Sequence, residues 1–236
     1  MTAARTGPEA PSAAEQLLLD RLEKDPKDAD ALALLAERRE DDGDLKAAKD
    51  LLRQAIEAKP DMRDPYLKLA RIQKSDGQLK EAADTLQLAS ARFPDDRLVQ
   101  ESFAIGHEMM QDYEAAKRAY ENVLAKWPND IVAANNLAML IADIWPDDKA
   151  LLNRARVLVE GFRNSSNPIL IDTLGWVQVR LGNIDDAAII LKRAVTMQPD
   201  NQQTQYHYAV AMSLKGLDDV ARDAMVKALA GAPDFR

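Results

Sequence analysis

Small residues recur along the chain at an interval of 34 residues, interrupted by one slip of three residues. Counting from Ala29 as position 1, position 8 is small in all six copies of the pattern: Ala36, Ala70, Ala104, Ala138, Gly175 and Ala209. Position 7 holds a larger apolar or aromatic residue in the same copies: Leu35, Leu69, Phe103, Leu137, Leu174 and Tyr208. Small side chains let two helices approach closely, and larger ones fill the space between them. The pattern therefore predicts a series of packed helical hairpins.

Prolines and glycines follow the same period. An interval of 34 residues separates successive prolines at Pro26, Pro60, Pro94 and Pro128, and after the slip it separates Pro199 from Pro233. Glycine accepts the left-handed backbone that ends a helix, and glycines stand at the predicted turns of four hairpins: Gly43, Gly77, Gly182 and Gly216. Gln111 occupies this place in the third copy. Together these features resemble the tetratricopeptide repeat, a helix–turn–helix unit of 34 residues.

The resemblance implies an all-α fold, a right-handed superhelical α-solenoid of about six repeats. The predicted repeats are 29–62, 63–96, 97–130, 131–167, 168–201 and 202–236. A half-repeat helix at 13–28 precedes them, so that the solenoid spans 13–236 and contains thirteen helices. We expect this half-repeat to cover the N-terminal end through Leu17, Leu18 and Leu22. Residues 1–12 are predicted to be a disordered tail, because they are small, polar and proline-containing.

The fourth repeat is irregular. Its second helix is predicted from an apolar stripe with helical spacing, formed by Leu151, Ala155, Leu158 and Phe162. The preceding turn is lengthened and contains the residues from Ile144 to Asp147.

The charge balance narrows the classes of partner. The formal net charge is −8, and charges of both signs are interspersed without a basic run, which argues against nucleic acid as a partner. There is no cysteine, which excludes disulfides and thiolate metal sites. We predict no direct membrane insertion and, because the N-terminal residues lack the apolar core of a signal peptide, a cytoplasmic location for the chain as written. A periplasmic or envelope location is the alternative if it is part of a longer protein.

Candidate catalytic residues are few. The two histidines, His107 and His207, lie 100 residues apart, nearly three repeats, so they do not share a site. Acidic pairs such as Asp185-Asp186 fall at predicted helix starts, where negative charge is favourable. The sequence therefore predicts a non-enzymatic protein without catalytic residues, cofactor or metal.

The resemblance also implies a binding surface. In tetratricopeptide arrays the first helix of each repeat lines a concave wall, with positions 2, 5, 6 and 9 facing inward. Repeats one and two place charged residues there, whereas repeats four to six supply the predicted groove for a peptide or partner protein: Asn135, Asn136, Met139, Asp172, Thr173, Trp176, Tyr206, His207 and Val210. Amides can pair with a peptide backbone, and Trp176 is the predicted anchor. The alternative is that Trp176 and Tyr206 pack on each other between repeats.

One class of tetratricopeptide protein does not fit. Receptors for chaperone tails clamp a carboxylate with lysine, asparagine and arginine at fixed groove positions. Here Asn136 is the only match to the asparagine at position 6. The repeat before it offers Glu101 and Ile105 and the repeat after it offers Ile169 and Thr173, so no cation is placed to receive a carboxylate.

A narrower resemblance lies in the C-terminal half. The segments Asn135–Ala138, Asp172–Trp176 and Tyr206–Ala211 resemble the terminal repeats of bacterial tetratricopeptide lipoproteins that accompany exopolysaccharide and exosortase systems. This resemblance implies an alternative function, as a component of an exopolysaccharide or surface-protein export complex.

The last predicted helix has no following helix to cover it. We expect Val226 and Leu229, with Met225 in part, to reach solvent there and to support weak self-association through the C-terminal end. The alternative is that a longer native chain supplies a capping segment.

Overall fold

A computed structural model describes residues 12–230, and throughout that range the secondary structure is helical. The thirteen α-helices are α1 Ala13–Lys24, α2 Ala29–Asp41, α3 Leu45–Ala58, α4 Arg63–Ser75, α5 Leu79–Arg92, α6 Arg97–Met109, α7 Tyr113–Lys126, α8 Ile131–Ile144, α9 Lys149–Val159, α10 Pro168–Arg180, α11 Ile184–Met197, α12 Gln202–Leu214 and α13 Asp218–Leu229. A 3₁₀ helix, Glu160–Asn164, follows α9. The fold class is an all-α solenoid of helical hairpins. The predicted tail lies outside the described residues, apart from Ser12, which caps α1.

Capping residues explain where the first helices begin. Five of the six start after an aspartate or asparagine whose side chain accepts a hydrogen bond from the first turn; Asp130 Oδ1, for example, accepts from the amide of Ala133 at 2.7 Å. Only α4 lacks such a cap, since Met62 precedes it. The six first helices therefore begin at the first residues of the proposed repeats: Ala29, Arg63, Arg97, Ile131, Pro168 and Gln202.

The turns use left-handed backbone as expected. The four turn glycines have φ between 74° and 80°. Gln111 takes the same conformation with φ of 57°, and within 12–230 it is the one residue other than glycine with positive φ. A glutamine in this region carries a steric cost that glycine avoids.

The fourth hairpin departs from the predicted stripe by one residue at two places. The buried residues are Leu152, Ala155, Val159 and Phe162, and Phe162 is carried by the 3₁₀ helix. Leu151 and Leu158 are only half-buried. The prediction was wrong at Leu151 and Leu158, because the buried face of α9 passes through the next residue in each case, Leu152 and Val159.

The chain divides into two compact units, residues 1–112 (unit 1) and 113–236 (unit 2). Within unit 1, Leu22 packs against a cluster that includes Leu32 and Ala55. Leu17 is 62% exposed, so the prediction that it covers the N-terminal end was wrong.

At the end of unit 2, Val226 and Leu229 are exposed and Met225 is half-buried, as the sequence predicted. Self-association through this end stays a prediction.

Candidate functional site

The predicted groove residues lie on the first helices of unit 2, α8, α10 and α12. Helix α10 lies against both α8 and α12, and the three helices form what we call the α8–α10–α12 surface. Its half-buried residues are Asn135, Asn136, Met139, Tyr206 and Val210. Its exposed residues include Val132, Ile169 and Gln203. The structure thus brings the side chains of three repeats into one surface.

Four of the predicted groove residues are buried: Asp172, Thr173, Trp176 and His207. Trp176 is only 2% exposed. Its ring stacks on His207 with centroids 4.1 Å apart and planes inclined by 14°, and Tyr206 lies 6.1 Å away. Trp176 therefore fills the space between repeats, stacked on His207 with Tyr206 nearby, and as placed it is too buried to contact a ligand.

Trp176 also joins α10 to α8. The indole N–H donates a hydrogen bond of 2.7 Å to Asp143 Oδ1. A buried indole N–H needs a partner, and Asp143 supplies it from the neighbouring first helix. Through this bond and the stack on His207, one side chain connects the three helices.

His207 and Asp172 form a buried pair. The Nδ1 atom of His207 lies 3.0 Å from both carboxylate oxygens of Asp172, which orients the imidazole ring for its stack on Trp176. Thr173 is satisfied within its own helix, because its hydroxyl donates to the carbonyl of Ile169 at 3.1 Å. Asp172 and His207 therefore hold α10 and α12 together, and all three residues are buried.

Arg180 is a functional candidate that sequence reasoning missed. Its guanidinium carbon lies 4.2 Å from the centroid of Trp176, a cation–π contact. Its Nε atom is buried without a hydrogen-bond partner, and none of the described carboxylates forms an ion pair with it. Arg180 and Asp143 both occupy position 13 of their repeats, one turn beyond position 9. Extending the inward stripe by one turn would have found them.

A second unsatisfied group lies on α8. The Oδ1 atom of Asn135 is buried without a partner, while its amide nitrogen donates to Asn136 Oδ1 at 3.2 Å. Asn135 Oδ1 and Arg180 Nε are thus buried polar atoms without a hydrogen-bond partner among the described residues. Such atoms are uncommon in native structures, which singles out both side chains as functional candidates.

Between residues 12 and 230, no group of histidine, aspartate and glutamate side chains is arranged to hold a metal ion. No helix in the described part of the chain is long and apolar enough to cross a membrane.

Three stretches of the chain match family models described as tetratricopeptide repeat: residues 40–102, 104–130 and 173–234. A TPR repeat-containing protein of Pseudomonas aeruginosa is 25% identical over 114 residues, which make up 47% of this chain and 18% of that relative. The match therefore spans less than a fifth of the relative's length.

Two solved structures are similar in fold. A tetratricopeptide repeat protein from Parabacteroides merdae has a TM-score of 0.70 at 18% identity, covering 87% of this chain and 80% of that one. YrrB, a TPR protein described as having an unusual peptide-binding site, has a TM-score of 0.64 at 16% identity, covering 86% and 99%. At these identities the likeness shows the fold alone.

Proposed function

The chain belongs to the tetratricopeptide-repeat family, and from that premise we propose that its α8–α10–α12 surface binds a peptide segment of a partner protein. Repeat proteins of this fold serve as interaction scaffolds, and nothing in the described site suggests a different class of chemistry. The peptide-binding site ascribed to YrrB supports a peptide as the class of ligand.

The observation that carries the proposal is the mixture of side chains on this surface. Ile169 and Val132 expose apolar area, Met139 and Val210 are half-buried on the same surface, and the amide side chains of Asn135 and Asn136 are half-buried there as well. A peptide supplies complements to both kinds of group, since its side chains bury apolar area and its backbone pairs with amides. We therefore assign the anchor role to these accessible residues and not to Trp176.

The alternative function, a component of an exopolysaccharide or surface-protein export complex, stays a prediction, as does the location of the chain. It differs from the main proposal in the identity of the partner and uses the same surface.

A matched pair of isoleucines tests the surface. Ile169 on α10 is 52% exposed and Ile189 on α11 is 70% exposed, so lysine at either site faces water and leaves the core intact. We would screen the purified chain against an immobilised synthetic library of random dodecapeptides, and measure the dissociation constants of the bound peptides by fluorescence polarisation. Ile169→Lys should weaken binding about 10-fold or more, the range of a lost interface contact.

Ile189→Lys is the control and should leave the dissociation constant unchanged. Equal effects of both substitutions would contradict the proposal, because they would place binding elsewhere or make it non-specific. A library screen that yields no binding peptide would contradict it as well.

A further inference from the structure

We infer that the peptide bound on the α8–α10–α12 surface carries a carboxylate that pairs with Arg180. The inference rests on the proposed function and specifies its ligand. Arg180 differs from several other arginines of the chain in having no carboxylate partner among the described residues.

Three other arginines already have bidentate carboxylate partners. Arg71 pairs with Glu40 at 2.6 Å through two bonds, Arg163 with Asp186 at 2.9 and 2.6 Å, and Arg154 with Glu121 at 3.1 and 2.8 Å. Guanidinium and carboxylate match in geometry, which makes such pairs specific. The chain therefore uses this pairing repeatedly, and Arg180 is positioned for it without a described partner.

Packing holds Arg180 in place before any ligand arrives. Its guanidinium rests on the ring of Trp176, and that ring is itself fixed by Asp143 and His207. A group that is already ordered loses less entropy on binding. Burial of Nε without a partner also leaves the cation partly desolvated, which strengthens its attraction for an anion.

The surroundings favour a carboxylate over a phosphate. A phosphate carries close to two negative charges and is usually met by several cations, whereas Arg180 is the one lysine or arginine at the inward positions of α8, α10 and α12. Asp143, which bonds to the same tryptophan, adds a negative charge nearby. A singly charged, planar carboxylate suits one guanidinium beside one aspartate.

Helix α12 favours one kind of ligand residue next to that carboxylate. Position 13 of the three successive first helices holds Asp143, Arg180 and Leu214, and Leu214 is exposed. An apolar ligand side chain adjacent to the carboxylate would bury area against Leu214.

The test uses the peptides selected from the dodecapeptide library. Each binding peptide is synthesised in three forms: unchanged, with its carboxyl terminus amidated, and with each aspartate or glutamate replaced by asparagine or glutamine. Dissociation constants are measured for the wild-type chain, Arg180→Gln and Arg180→Lys. Arg156→Gln is the matched control, because Arg156 is an exposed arginine on α9, outside the surface.

We expect one neutralised form of the peptide to bind the wild-type chain about 10-fold or more weakly, as for a lost charge-assisted bond. The form that loses affinity tells a terminal carboxylate from a side-chain one. In Arg180→Gln the unchanged and the neutralised peptide should bind with equal affinity. In Arg180→Lys part of the difference in affinity between them should remain, and in Arg156→Gln all of it should remain.

A carboxylate effect of equal size in wild type and Arg180→Gln would overturn the inference, as would peptides that bind without any carboxylate dependence. If those same peptides still lose affinity with Ile169→Lys, the proposed function stands and only the inference fails. If Ile169→Lys and Arg180→Gln are both without effect, both fail.

Discussion

The two units join their successive first helices at the same repeat positions by different chemistry. In unit 1, Glu37 at position 9 of α2 forms an ion pair with Lys68 at position 6 of α4. In unit 2, Trp176 at position 9 of α10 stacks on His207 at position 6 of α12, with ring centroids 4.1 Å apart. One geometric position thus accepts either two charges or two rings.

The difference shows which of the two contacts contributes more to the free energy of unfolding. Lys68 and Glu37 remain partly exposed, and ion pairs in contact with water contribute little to stability because solvent screens them. Trp176 and His207 are both buried, so their contact removes a large aromatic area from water and adds a stacking preference. The stability of unit 2 should therefore depend far more on the residues at this position than the stability of unit 1 does.

Replacing the tryptophan should produce the largest effect. Trp176→Ala leaves a cavity and strands His207, so we expect the free energy of unfolding to fall by about 3–5 kcal/mol. Urea denaturation followed by circular dichroism measures it.

The same position in unit 1 provides the control for that substitution. Glu37→Gln should change the free energy of unfolding by less than about 1 kcal/mol. Similar losses in the two variants would show that the chemistry at this position does not distinguish the units.

A second comparison concerns two glycines inside helices. A Cβ atom at Gly175 in unit 2 would lie 2.5 Å from Cγ of the buried Leu191, whereas one at Gly106 in unit 1 would meet Leu86 Cδ1 at 3.3 Å. Gly175→Ala should therefore lower the free energy of unfolding by about 1–3 kcal/mol through overpacking. Thermal unfolding of both variants measures the difference.

Gly106→Ala is the milder member of the pair. The end of Leu86 can yield by a few tenths of an ångström, and alanine favours the helix, so its net change should stay within about 0.5 kcal/mol. A Gly175→Ala protein as stable as wild type would mean that Leu191 has another rotamer available.

Much of the fold follows from the sequence because its causes are local. The 34-residue period, the capping residues and the turn glycines act within a few residues of themselves, and the helices begin where the repeats were drawn. Gly175 shows what the sequence alone does not predict. The need for a small residue at its position follows from the repeat pattern, but its close approach to Leu191 depends on how α10 packs against α11.

The site was less predictable because burial depends on neighbouring side chains. The inward stripe named residues that the structure brings together on α8, α10 and α12, yet Trp176 and His207 are large enough to fill the gap between helices and cover each other. Arg180 lay one turn beyond the stripe. That none of the carboxylates described between residues 12 and 230 pairs with it depends on the packing of the helices, which the sequence alone does not give.

The turn after α6 offers a gain in stability. Gln111 has φ of 57° where other turns have glycine, so Gln111→Gly should relieve strain and raise the free energy of unfolding by about 0.5–1 kcal/mol. Gly182→Gln in unit 2, where φ is 80°, is the reverse substitution and should lower it. Thermal unfolding measures both changes in stability. If both substitutions stabilised the protein, or both destabilised it, the strain argument would be contradicted.

The smallest effect should come from the ion pair between Glu40 and Arg71, and its dependence on pH sharpens the comparison. The Arg71 guanidinium, hydrogen-bonded to Glu40, holds the pKa of that carboxyl below its usual value. Because the pKa is lowered in the folded state, the pair stabilises the protein above the ordinary glutamate pKa of about 4.3. That contribution is lost as the pH falls through the lowered value, where Glu40 becomes protonated in the folded protein as well.

Glu40→Gln should therefore lower the free energy of unfolding at neutral pH by no more than about 0.5 kcal/mol, since Arg71 is largely exposed. The difference from wild type should vanish in acid, and also in molar salt, where screening acts over about 3 Å. Urea titrations at neutral and acidic pH, with and without salt, measure these changes. The loss caused by Trp176→Ala should persist in molar salt, because burial of an aromatic ring involves no net charge. A loss from Glu40→Gln that also persists in salt would mean that the unit 1 contact acts through packing, and the contrast between the units would disappear.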